Sequence, residues 1–439
     1  MSGKKKKGEP MANCGFCGHN NKTAGRLVEG NALGADSIAY ICGECIQTCA
    51  GILAQDEEKN ESVQRRLLKA PSPKELYDHL NEYVIGQLIA KRRLSVEVSN
   101  HYQRLMDMDQ LHLNKMGGES FIQDPELKDV EIEKSNILLI GPTGSGKTLI
   151  ARALARKLNV PFAIGDATSL TEAGYVGEDV ENLLLKLLIA ADYDVEAAQR
   201  GIIYIDEIDK IRSTGGNVSI TRDVSGQGVQ QSLLKMIEGT TCNVPPQGGR
   251  KHPEQNYIQI DTTQILFIVG GAFNGIDEIV RKRSHKSSMG FGSTKVIVDE
   301  RKQLNELLRE VRQDDLIDFG LIPELVGRLP VIAALEELSL DDLVRVLKEP
   351  KNALLLQERK KFAYKGVNLQ FTDDAMRKIA EIAIEKNTGA RALRSVLTEF
   401  MTDIHFDLPE DHKGKTYVID SDVVTGNKKM FSHTHNEAA

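Results

Sequence analysis

One eight-residue segment constrains the fold of this chain more than any other feature. Residues 141–148 read Gly-Pro-Thr-Gly-Ser-Gly-Lys-Thr and match the pattern G-x-x-x-x-G-K-[ST] throughout. A glycine-rich loop of this kind turns backbone N–H groups toward a phosphate, and the helix that follows points its positive end at the same anion. Four apolar residues, 137–140, precede the loop, and apolar residues at helical spacing follow it over 149–158. The sequence therefore predicts a buried strand, a phosphate-binding loop and a helix, in that order.

Most residues of the predicted nucleotide site come from this loop. Lys147 is expected to balance the charge of the β- and γ-phosphates, and Thr148 to offer its hydroxyl to Mg²⁺. ATP and Mg²⁺ are therefore the expected cofactors. The predicted phosphate-binding set is Pro142, Thr143, Gly144, Ser145, Gly146, Lys147, Thr148 and Leu149.

A second apolar run ends in two adjacent carboxylates. Residues 202–207 read Ile-Ile-Tyr-Ile-Asp-Glu, about 60 residues after Lys147. Asp206 suits Mg²⁺ through its water shell, and Glu207 suits the polarisation of an attacking water. A buried strand whose end is exposed to solvent gives the same pattern without any function. The phosphate loop elsewhere in the chain favours a role for these two acids in the nucleotide site. A glutamate beside the aspartate favours ATP hydrolysis over a passive nucleotide switch.

The order of the apolar segments predicts the fold class. Runs at 137–140, 202–205 and 265–269 alternate with amphipathic helical segments, which is typical of an α/β sheet covered on both faces. Residues 107–135 are polar and are expected to form an irregular surface excursion. After Pro330 the pattern becomes mainly helical, with helices expected at 339–349, 372–386 and 389–404 and weak strands at 367–371 and 417–419.

Five of the six cysteines lie between Cys14 and Cys49. Cys14-x-x-Cys17 and Cys42-x-x-Cys45 form two pairs with 24 residues between them, a spacing that suits tetrahedral Zn²⁺. A bound ion would stabilise a segment that is too small to fold alone. A redox pair would normally lie beside a βαβ unit, which this segment lacks. Cys49 is expected to be a spare thiol, because zinc sites close at four ligands.

These patterns predict five segments along the chain. They are a zinc-binding N-terminal domain (1–55), a linker (56–73), a large P-loop ATPase domain (74–332), a small C-terminal domain (333–425) and a disordered tail (426–439).

Composition excludes several classes of protein. The 439 residues carry a net charge of −7, with 5% aromatic residues and no tryptophan, which disfavours nucleic acid as a partner. The sequence contains no run near the roughly 20 apolar residues that span a bilayer, so no membrane partner is expected. The lysines at 4–7 have no apolar segment behind them, so they are not a secretory signal. So few cysteines indicate a cytoplasmic protein.

Two arginines lie where a nucleotide between domains would need positive charge. Arg328 lies in Gly-Arg-Leu-Pro, residues 327–330, at the junction of the two larger domains. Arg391 begins a predicted helix of the smaller domain. One could act within its own subunit and the other on a neighbouring subunit. Taken singly, each is a common kind of surface arginine.

The residues together resemble the ClpX family, AAA+ unfoldases that feed the ClpP peptidase. The resemblance runs from the four cysteines through the small domain, and it includes the specific motif Gly-Tyr-Val-Gly at 174–177. It implies a homohexameric ring with ATP sites between subunits and a central channel. It also implies that Arg328 is a trans-acting arginine finger, that Arg391 is the sensor 2 arginine, and that Val84 and Ile85 contact adenine. The zinc domain would dimerise and dock adaptors or substrates.

The same resemblance assigns the substrate channel and the peptidase-docking segment. The assigned pore residues are Tyr175 and Val176 in the first loop, Arg222 in the second, and Arg250, Lys251 and His252 at the entrance. Met289, Gly290 and Phe291 take the place of a docking tripeptide that usually begins with Ile or Leu. Gln227 stands where the second pore loop usually has Glu, which removes one charge per subunit from the channel.

The predicted function is an ATP-dependent protein unfoldase and translocase, the specificity component of a Clp protease, with chaperone activity on its own. The chain is expected to be an ATP hydrolase but not a peptidase, since it has neither H-E-x-x-H nor G-x-S-x-G. One alternative is an AAA+ remodeller of nucleic acid or protein complexes without a peptidase partner. Another is a degenerate scaffold that binds ATP without turnover, which the presence of Lys147, Glu207, Arg328 and Arg391 disfavours.

Overall fold

Two compact units make up the chain, Met1–Ala70 and Pro71–Ala439. They are seen in a computed structural model that describes twelve segments of the sequence. These are residues 12–20, 23–31, 38–51, 70–115, 124–127, 130–171, 178–212, 226–245, 257–286, 300–386, 388–409 and 411–431.

The first unit is a small hairpin followed by a helix. Strands β1 (Leu27–Asn31) and β2 (Ile38–Cys42) pair antiparallel, with Leu27 opposite Cys42. Helix α1 (43–51) begins directly after β2. The hairpin therefore places Cys42 at the end of a strand and Cys45 in the first turn of a helix.

The second unit begins with a sheet domain. Its strands are β3 (Ile137–Ile140), β4 (Phe162–Asp166), β5 (Leu170–Thr171), β6 (Glu178–Asp179), β7 (Ile202–Asp206), β8 (Thr241–Val244), β9 (Ile258–Asp261), β10 (Leu266–Gly271) and β11 (Val331–Ala334). Its helices are α2 (Pro73–Tyr83), α3 (Leu88–Lys115), α4 (Lys147–Leu158), α5 (Asn182–Ala190), α6 (Val195–Gln199), α7 (Gln227–Glu238), α8 (Ile276–Lys286), α9 (Glu300–Arg309), α10 (Gln313–Phe319) and α11 (Pro323–Gly327).

Five of these strands form one parallel sheet in the order β11-β3-β10-β7-β4. Alternate residues of each strand enter two separate apolar clusters: Ile203 and Ile205 pack on one face, Ile202 and Tyr204 on the other. A strand buried on both faces has no polar side to show, which explains the continuous apolar runs in the sequence. The predicted α/β fold class is confirmed.

A helical domain completes the second unit. Its elements are α12 (Leu340–Lys348), α13 (Leu354–Tyr364), β12 (Asn368–Phe371), α14 (Asp373–Glu385), α15 (Ala390–Phe406), β13 (Thr416–Ile419) and α16 (Ser421–Val424). The three predicted helices and the two weak strands are present, and the two strands pair parallel. Thr372 caps α14 by accepting a hydrogen bond from the backbone N–H of Ala375.

Three features differ from the expectations. The irregular excursion predicted from residue 107 is wrong at its start, because α3 continues to Lys115. The end of this helix is rich in polar residues and lacks the apolar stripe that reveals a helix in sequence.

The predicted domain boundary between 332 and 333 falls inside β11. Phe431, assigned to a disordered tail, packs its ring on Tyr417 at 5.1 Å between centroids.

No helix among the described segments combines the length and apolar character needed to cross a membrane.

Candidate nucleotide and zinc sites

The phosphate loop turns sharply between β3 and α4. Gly144 and Gly146 have φ values of +81° and +103°, a region that side chains other than glycine rarely adopt. Gly146 occupies the N-cap position of α4 and has no side chain to cover the first N–H groups of the helix. The loop and the helix start therefore leave backbone donors for an anion.

Lys147 lies inside this loop, with 8% of its surface exposed. Its Nζ donates to the carbonyl oxygens of Gly141 at 2.6 Å and Pro142 at 3.1 Å. Burial lowers the pKa of Lys147, while the nearby carboxylates of Asp206 and Asp209 oppose that shift. The lysine is thus fixed at the loop by hydrogen bonds and by the field of the acids across from it.

Asp206 stands at the end of β7 and is held by three donors. Thr148 Oγ1 donates to its Oδ2 at 3.0 Å, while the Tyr204 hydroxyl at 3.1 Å and the Glu207 backbone N–H at 3.0 Å donate to its Oδ1. Burial, and next the charge of Asp206, raise the pKa of Tyr204, so the phenol stays a donor. Oxygens about 3 Å apart fit neighbouring positions around one octahedral Mg²⁺, so Thr148 and Asp206 suit that ion.

Glu207 follows Asp206 in a strained backbone conformation. Its φ is +58°, in the left-handed region that is uncommon for residues other than glycine. The turn ends the strand and begins a short 3-10 helix, Ile208–Ile211. Strain of this kind persists where the surrounding structure holds it, often at a functional site.

These groups line a cavity of about 970 Å³ that the sheet and helical domains share. The sheet domain contributes the phosphate loop, the acids Asp206, Glu207 and Asp209, and the polar residue Asn274. The helical domain contributes two basic residues, Arg391 and Arg394, together with neutral polar and apolar residues. The cavity therefore carries acids for a metal ion and cations for phosphate, as Mg²⁺–ATP requires.

The first unit brings four sulfur atoms together. The Sγ atoms of Cys14, Cys17, Cys42 and Cys45 all lie within 4.8 Å of one another, and those of Cys17 and Cys42 are 3.7 Å apart. Tetrahedral zinc with Zn–S bonds of about 2.3 Å separates its sulfurs by about 3.8 Å. All four cysteines are free of disulfides. The donor set and its spacing fit Zn²⁺.

Backbone groups prepare the Cys14 thiol for a metal. A hydrogen bond from the backbone N–H of Cys17 lowers the pKa of Cys14 to about 6. The Cys42 backbone N–H also donates to Cys14 Sγ, at 3.3 Å. Such donors stabilise a thiolate, which is the form that binds zinc. Cys49, in α1, does not belong to this four-sulfur cluster.

Comparisons with known proteins agree with this geometry. A family profile described as the ClpX C4-type zinc finger matches residues 12–55, one described as the AAA domain (Cdc48 subfamily) matches 132–332, and one described as the C-terminal, D2-small domain of ClpB protein matches 338–416. The ATP-dependent Clp protease ATP-binding subunit ClpX of Treponema denticola is 50% identical over 424 residues, which cover 97% of this chain and 95% of that protein. This chain belongs to the ClpX family. Zinc, ATP and Mg²⁺ are its cofactors, and it is an AAA+ ATPase.

Most of the residues predicted for nucleotide binding in this ClpX-family chain lie together. The cavity is lined by Thr143, Gly144, Gly146, Lys147, Thr148, Leu149, Asp206, Glu207 and Arg391. Val84 and Ile85, expected at the adenine, are 4% and 6% exposed. Tyr83, at the end of α2, is the residue of that segment that lines the cavity.

Several lining residues were not predicted from the sequence, and four of them, Asn274, Arg394, Asp209 and Tyr83, show why. Asn274 follows the end of β10, and a polar residue after a buried strand was the available signal. Arg394 lies one helical turn after Arg391, on the same face of α15. Asp209 lies three residues after Asp206, where its Oδ1 accepts from the Ala272 backbone N–H at 3.1 Å. Tyr83 gave no signal, because its place depends on distant segments.

Arg328 is not among the described residues that line the cavity. It follows α11, and its side chain is 58% exposed. Its Nε donates to Glu238 Oε1 at 3.0 Å, and its carbonyl oxygen accepts from Asn136 Nδ2 at 3.1 Å. The backbone of Arg328 is thus anchored to the sheet while its side chain lies on the surface.

The channel and docking predictions fall outside the described residues. This applies to Tyr175, Val176, Arg222, Arg250, Lys251, His252, Met289, Gly290 and Phe291. Gln227 is described and is the exposed first residue of α7.

Proposed function

We propose that this ClpX-family chain unfolds proteins at the expense of ATP and threads them into a ClpP-type peptidase, with chaperone activity when that partner is absent. The observation that carries the proposal is the shared cavity, in which Lys147, Asp206 and Glu207 come from one domain and Arg391 from the other. When a nucleotide that contacts both domains is hydrolysed, the contacts between it and each domain change, and so does the orientation of the two domains. Such motion is what a translocase needs.

The residues of the cavity divide the chemical work. Bound Mg²⁺–ATP supplies the phosphoanhydride bond and the charge that the site must stabilise. Lys147 and the loop N–H groups hold the phosphates, and Thr148 with Asp206 holds the metal. Glu207 orients the attacking water and accepts its proton. Arg391, from α15, stabilises negative charge from the opposite side of the cavity.

Arg328 completes the site of a neighbouring subunit in this proposal. Its side chain is exposed and lies outside the lining of its own cavity, and its pair with Glu238 is a surface ion pair, which is weak enough for a neighbouring chain to displace. The anchored backbone would fix the direction of its approach. This arrangement requires a ring of identical subunits, which we propose is a homohexamer.

The channel and docking roles rest on the sequence motifs. We assign substrate grip to Tyr175 and its neighbour Val176, and substrate-tail contacts to Arg222 and to the entrance loop at 250–252. The tripeptide at 289–291 docks the peptidase. Methionine is flexible and apolar, so Met289 can fill a pocket that usually takes Ile or Leu.

The zinc unit is proposed to dimerise and to dock adaptors or substrates. Four large apolar side chains on it are exposed, with Phe16 at 71% and Ile38 at 57%, accompanied by Val28 and Ile46. Exposed apolar groups on so small a unit favour a protein partner. The cytoplasmic location and the lack of a nucleic-acid partner stay predictions from composition.

The proposal is tested with purified chain, ATP and a stable, tagged protein substrate. We expect ATP-dependent unfolding, loss of threading with unchanged ATP binding in Tyr175→Ala, and trapped ATP in Glu207→Gln. Unfolding by Tyr175→Ala at the wild-type rate would refute the pore assignment. Stimulation of ATPase activity by DNA, rather than by an unfolded protein, would favour the nucleic-acid remodeller.

Peptidase docking needs its own experiment. A ClpP homologue should be retained by the wild-type chain in the presence of ATP and lost with Phe291→Ala. Equal retention by both proteins would place the docking contact elsewhere.

A further inference from the structure

Gln87 is a buried polar residue that the proposed mechanism does not use. It is 3% exposed and lies just before α3. Its φ is +54°, and Gly86 before it has φ +66°, so two successive residues are left-handed. A glutamine in this conformation is strained, which requires that its surroundings fix it.

The side chain of Gln87 joins two segments far apart in sequence. Its Nε2 donates to the carbonyl oxygen of Glu336 at 2.8 Å and to that of Ser145 at 3.3 Å. Its Oε1 accepts from the backbone N–H of Glu336 at 2.7 Å. Ser145 belongs to the phosphate loop, and Glu336 belongs to residues 335–339, which connect β11 of the sheet domain to α12 of the helical domain. We call residues 335–339 the connecting segment.

Other contacts hold the connecting segment against the same loop. The Leu335 backbone N–H donates to the carbonyl oxygen of Ile140 at 2.7 Å. A Cβ added at Gly141 would lie 2.6 Å from the Leu335 carbonyl oxygen, so the two backbones touch. From the other side, Asn305 Oδ1 of α9 accepts from the Glu337 backbone N–H at 2.9 Å. The connecting segment is therefore fixed on both sides, and Gln87 is its side-chain link to the phosphate loop.

We propose that Gln87 is a positioning residue for nucleotide binding and hydrolysis. By bonding to both the N–H and the C=O of Glu336, Gln87 fixes the position of the connecting segment. Through its bond to Ser145, it couples that position to the conformation of the phosphate loop. The phosphate loop then keeps its nucleotide-binding shape only when the connecting segment holds the helical domain in the right orientation relative to the sheet domain. The inference rests on nucleotide binding in the shared cavity and not on unfolding activity, so failure of the unfoldase proposal would leave it intact.

A second buried glutamine, Gln230, is a matched control for the stability that is lost when any buried, hydrogen-bonded glutamine is replaced. Gln230 in α7 has 0% exposure and makes the same set of hydrogen bonds. Its Nε2 donates to the carbonyl oxygens of Ile211 at 2.8 Å and Gly320 at 3.3 Å, and its Oε1 accepts from the Ile322 backbone N–H at 2.8 Å. It touches neither the phosphate loop nor the connecting segment. A purely structural role would make the two glutamines equivalent.

The test compares Gln87→Met with Gln230→Met in the full chain. Three quantities are measured: the thermal unfolding midpoint, the affinity for a fluorescent ADP analogue well below that midpoint, and hydrogen exchange over residues 333–340 with and without ADP. Both variants should unfold at lower temperature, because each leaves buried backbone groups unpaired. Only Gln87→Met should lose about tenfold in ADP affinity, the equivalent of one net hydrogen bond, and exchange faster at 333–340.

A third variant protects the test against misfolding. Gln87→Glu keeps the shape of the side chain and an oxygen that can accept from the Glu336 N–H, but it sets a buried carboxylate oxygen against two carbonyl oxygens, so its affinity should fall at least as far as that of Gln87→Met. The proposal is overturned if Gln87→Met and Gln230→Met change ADP affinity equally. It is also overturned if Gln87→Glu, once folded, binds ADP as wild type does, or if exchange at 333–340 does not respond to the change.

Discussion

Replacing Gly389 by alanine should weaken nucleotide binding without altering any side chain in the cavity. Gly389 precedes α15 with φ +57°, and a Cβ there would lie 2.8 Å from the carbonyl oxygen of Thr143 in the phosphate loop. The contact is reciprocal, since a Cβ at Gly144 would lie 2.5 Å from the carbonyl oxygen of Thr388. The two backbones touch because both positions lack a side chain.

The magnitude follows from two terms. Gly389 has φ +57° and ψ −143°, a combination that is essentially restricted to glycine, so alanine there costs roughly 1–3 kcal/mol of folding free energy. Ordinary van der Waals contact begins at 3.4 Å, so a Cβ at 2.8 Å must be relieved by a shift of 3.4 − 2.8 = 0.6 Å. A shift of that size exceeds the range of about 0.5 Å over which N–H···O bonds stay good. Loss of one or two such bonds to a phosphate, at about 1.5 kcal/mol each, lowers affinity roughly 10- to 100-fold.

Gly414→Ala is the matched control, because Gly414 has φ +77° and no heavy atom within 4 Å of an added Cβ. It shares a positive φ and lies in the same helical domain, but an added Cβ there meets no neighbour. Thermal unfolding of the full chain measures the loss of stability caused by the strain. Titration with a fluorescent ADP analogue, at a temperature below both unfolding midpoints, measures the affinity of the cavity for nucleotide. Both variants should lose stability, and only Gly389→Ala should lose affinity.

Binding of ADP by Gly389→Ala within twofold of Gly414→Ala would contradict this prediction. That result would mean that the phosphate loop moves away from α15 at no cost. The contact between the two backbones would then be incidental to the shape of the site.

Three further perturbations test other parts of the structure. Tyr204→Phe removes one of the three donors to Asp206, so ATPase activity should need several-fold more Mg²⁺; an unchanged Mg²⁺ dependence would contradict this. Zinc chelation, or Cys45→Ser, should abolish hydrogen-exchange protection in residues 12–51 while ADP affinity stays unchanged, because the cysteines are not part of the cavity. Burial, and next the charge of Arg104, lower the pKa of His101 to about 3 from an ordinary 6.5. The unfolded state therefore binds more protons between these values, so His101 should reduce the free energy of unfolding as the pH falls below 6.5. Urea titrations of His101→Leu should show a shallower loss of stability than wild type over that window.

The parts of the site that follow from sequence are those encoded by neighbouring residues. The phosphate loop, the acids after β7 and the two cysteine pairs each occupy a few consecutive positions, so spacing alone reports their chemistry. Each is also flanked by an apolar run or a turn that predicts its place. The three inner strands of the sheet, β3, β7 and β10, were predictable for a related reason, since strands buried on both faces are continuous apolar runs. The partly buried edge strands β4 and β11 lack such runs and were not predicted.

The rest depends on segments that meet only in the fold. Gly86 and Gln87 look like an ordinary turn, and nothing near them indicates that the glutamine bonds to Glu336, which lies 249 residues away. Asn274 enters the cavity because β10 lies between β3 and β7, an order fixed by sheet topology. The end of α3 was missed because its polar residues carry no helical stripe. Tertiary neighbours, rather than local pattern, define all three.

The phosphate loop is held at two separate places, once by the helical domain itself and once through the segment that leads into it. On one side, Gly144 packs against Gly389 at the start of α15, and on the other, Gln87 ties Ser145 to Glu336 in the segment that leads into α12. Because the connecting segment is itself fixed to the sheet domain, a rotation of the helical domain that leaves the Gln87 contacts in place still moves Gly389 relative to Gly144, unless its axis passes close to the loop. Any larger rotation must therefore displace the backbone donors that hold phosphate, by distances that hydrogen bonds do not tolerate. Nucleotide binding and domain orientation thus depend on the same few backbone contacts, and the coupling requires no additional switch.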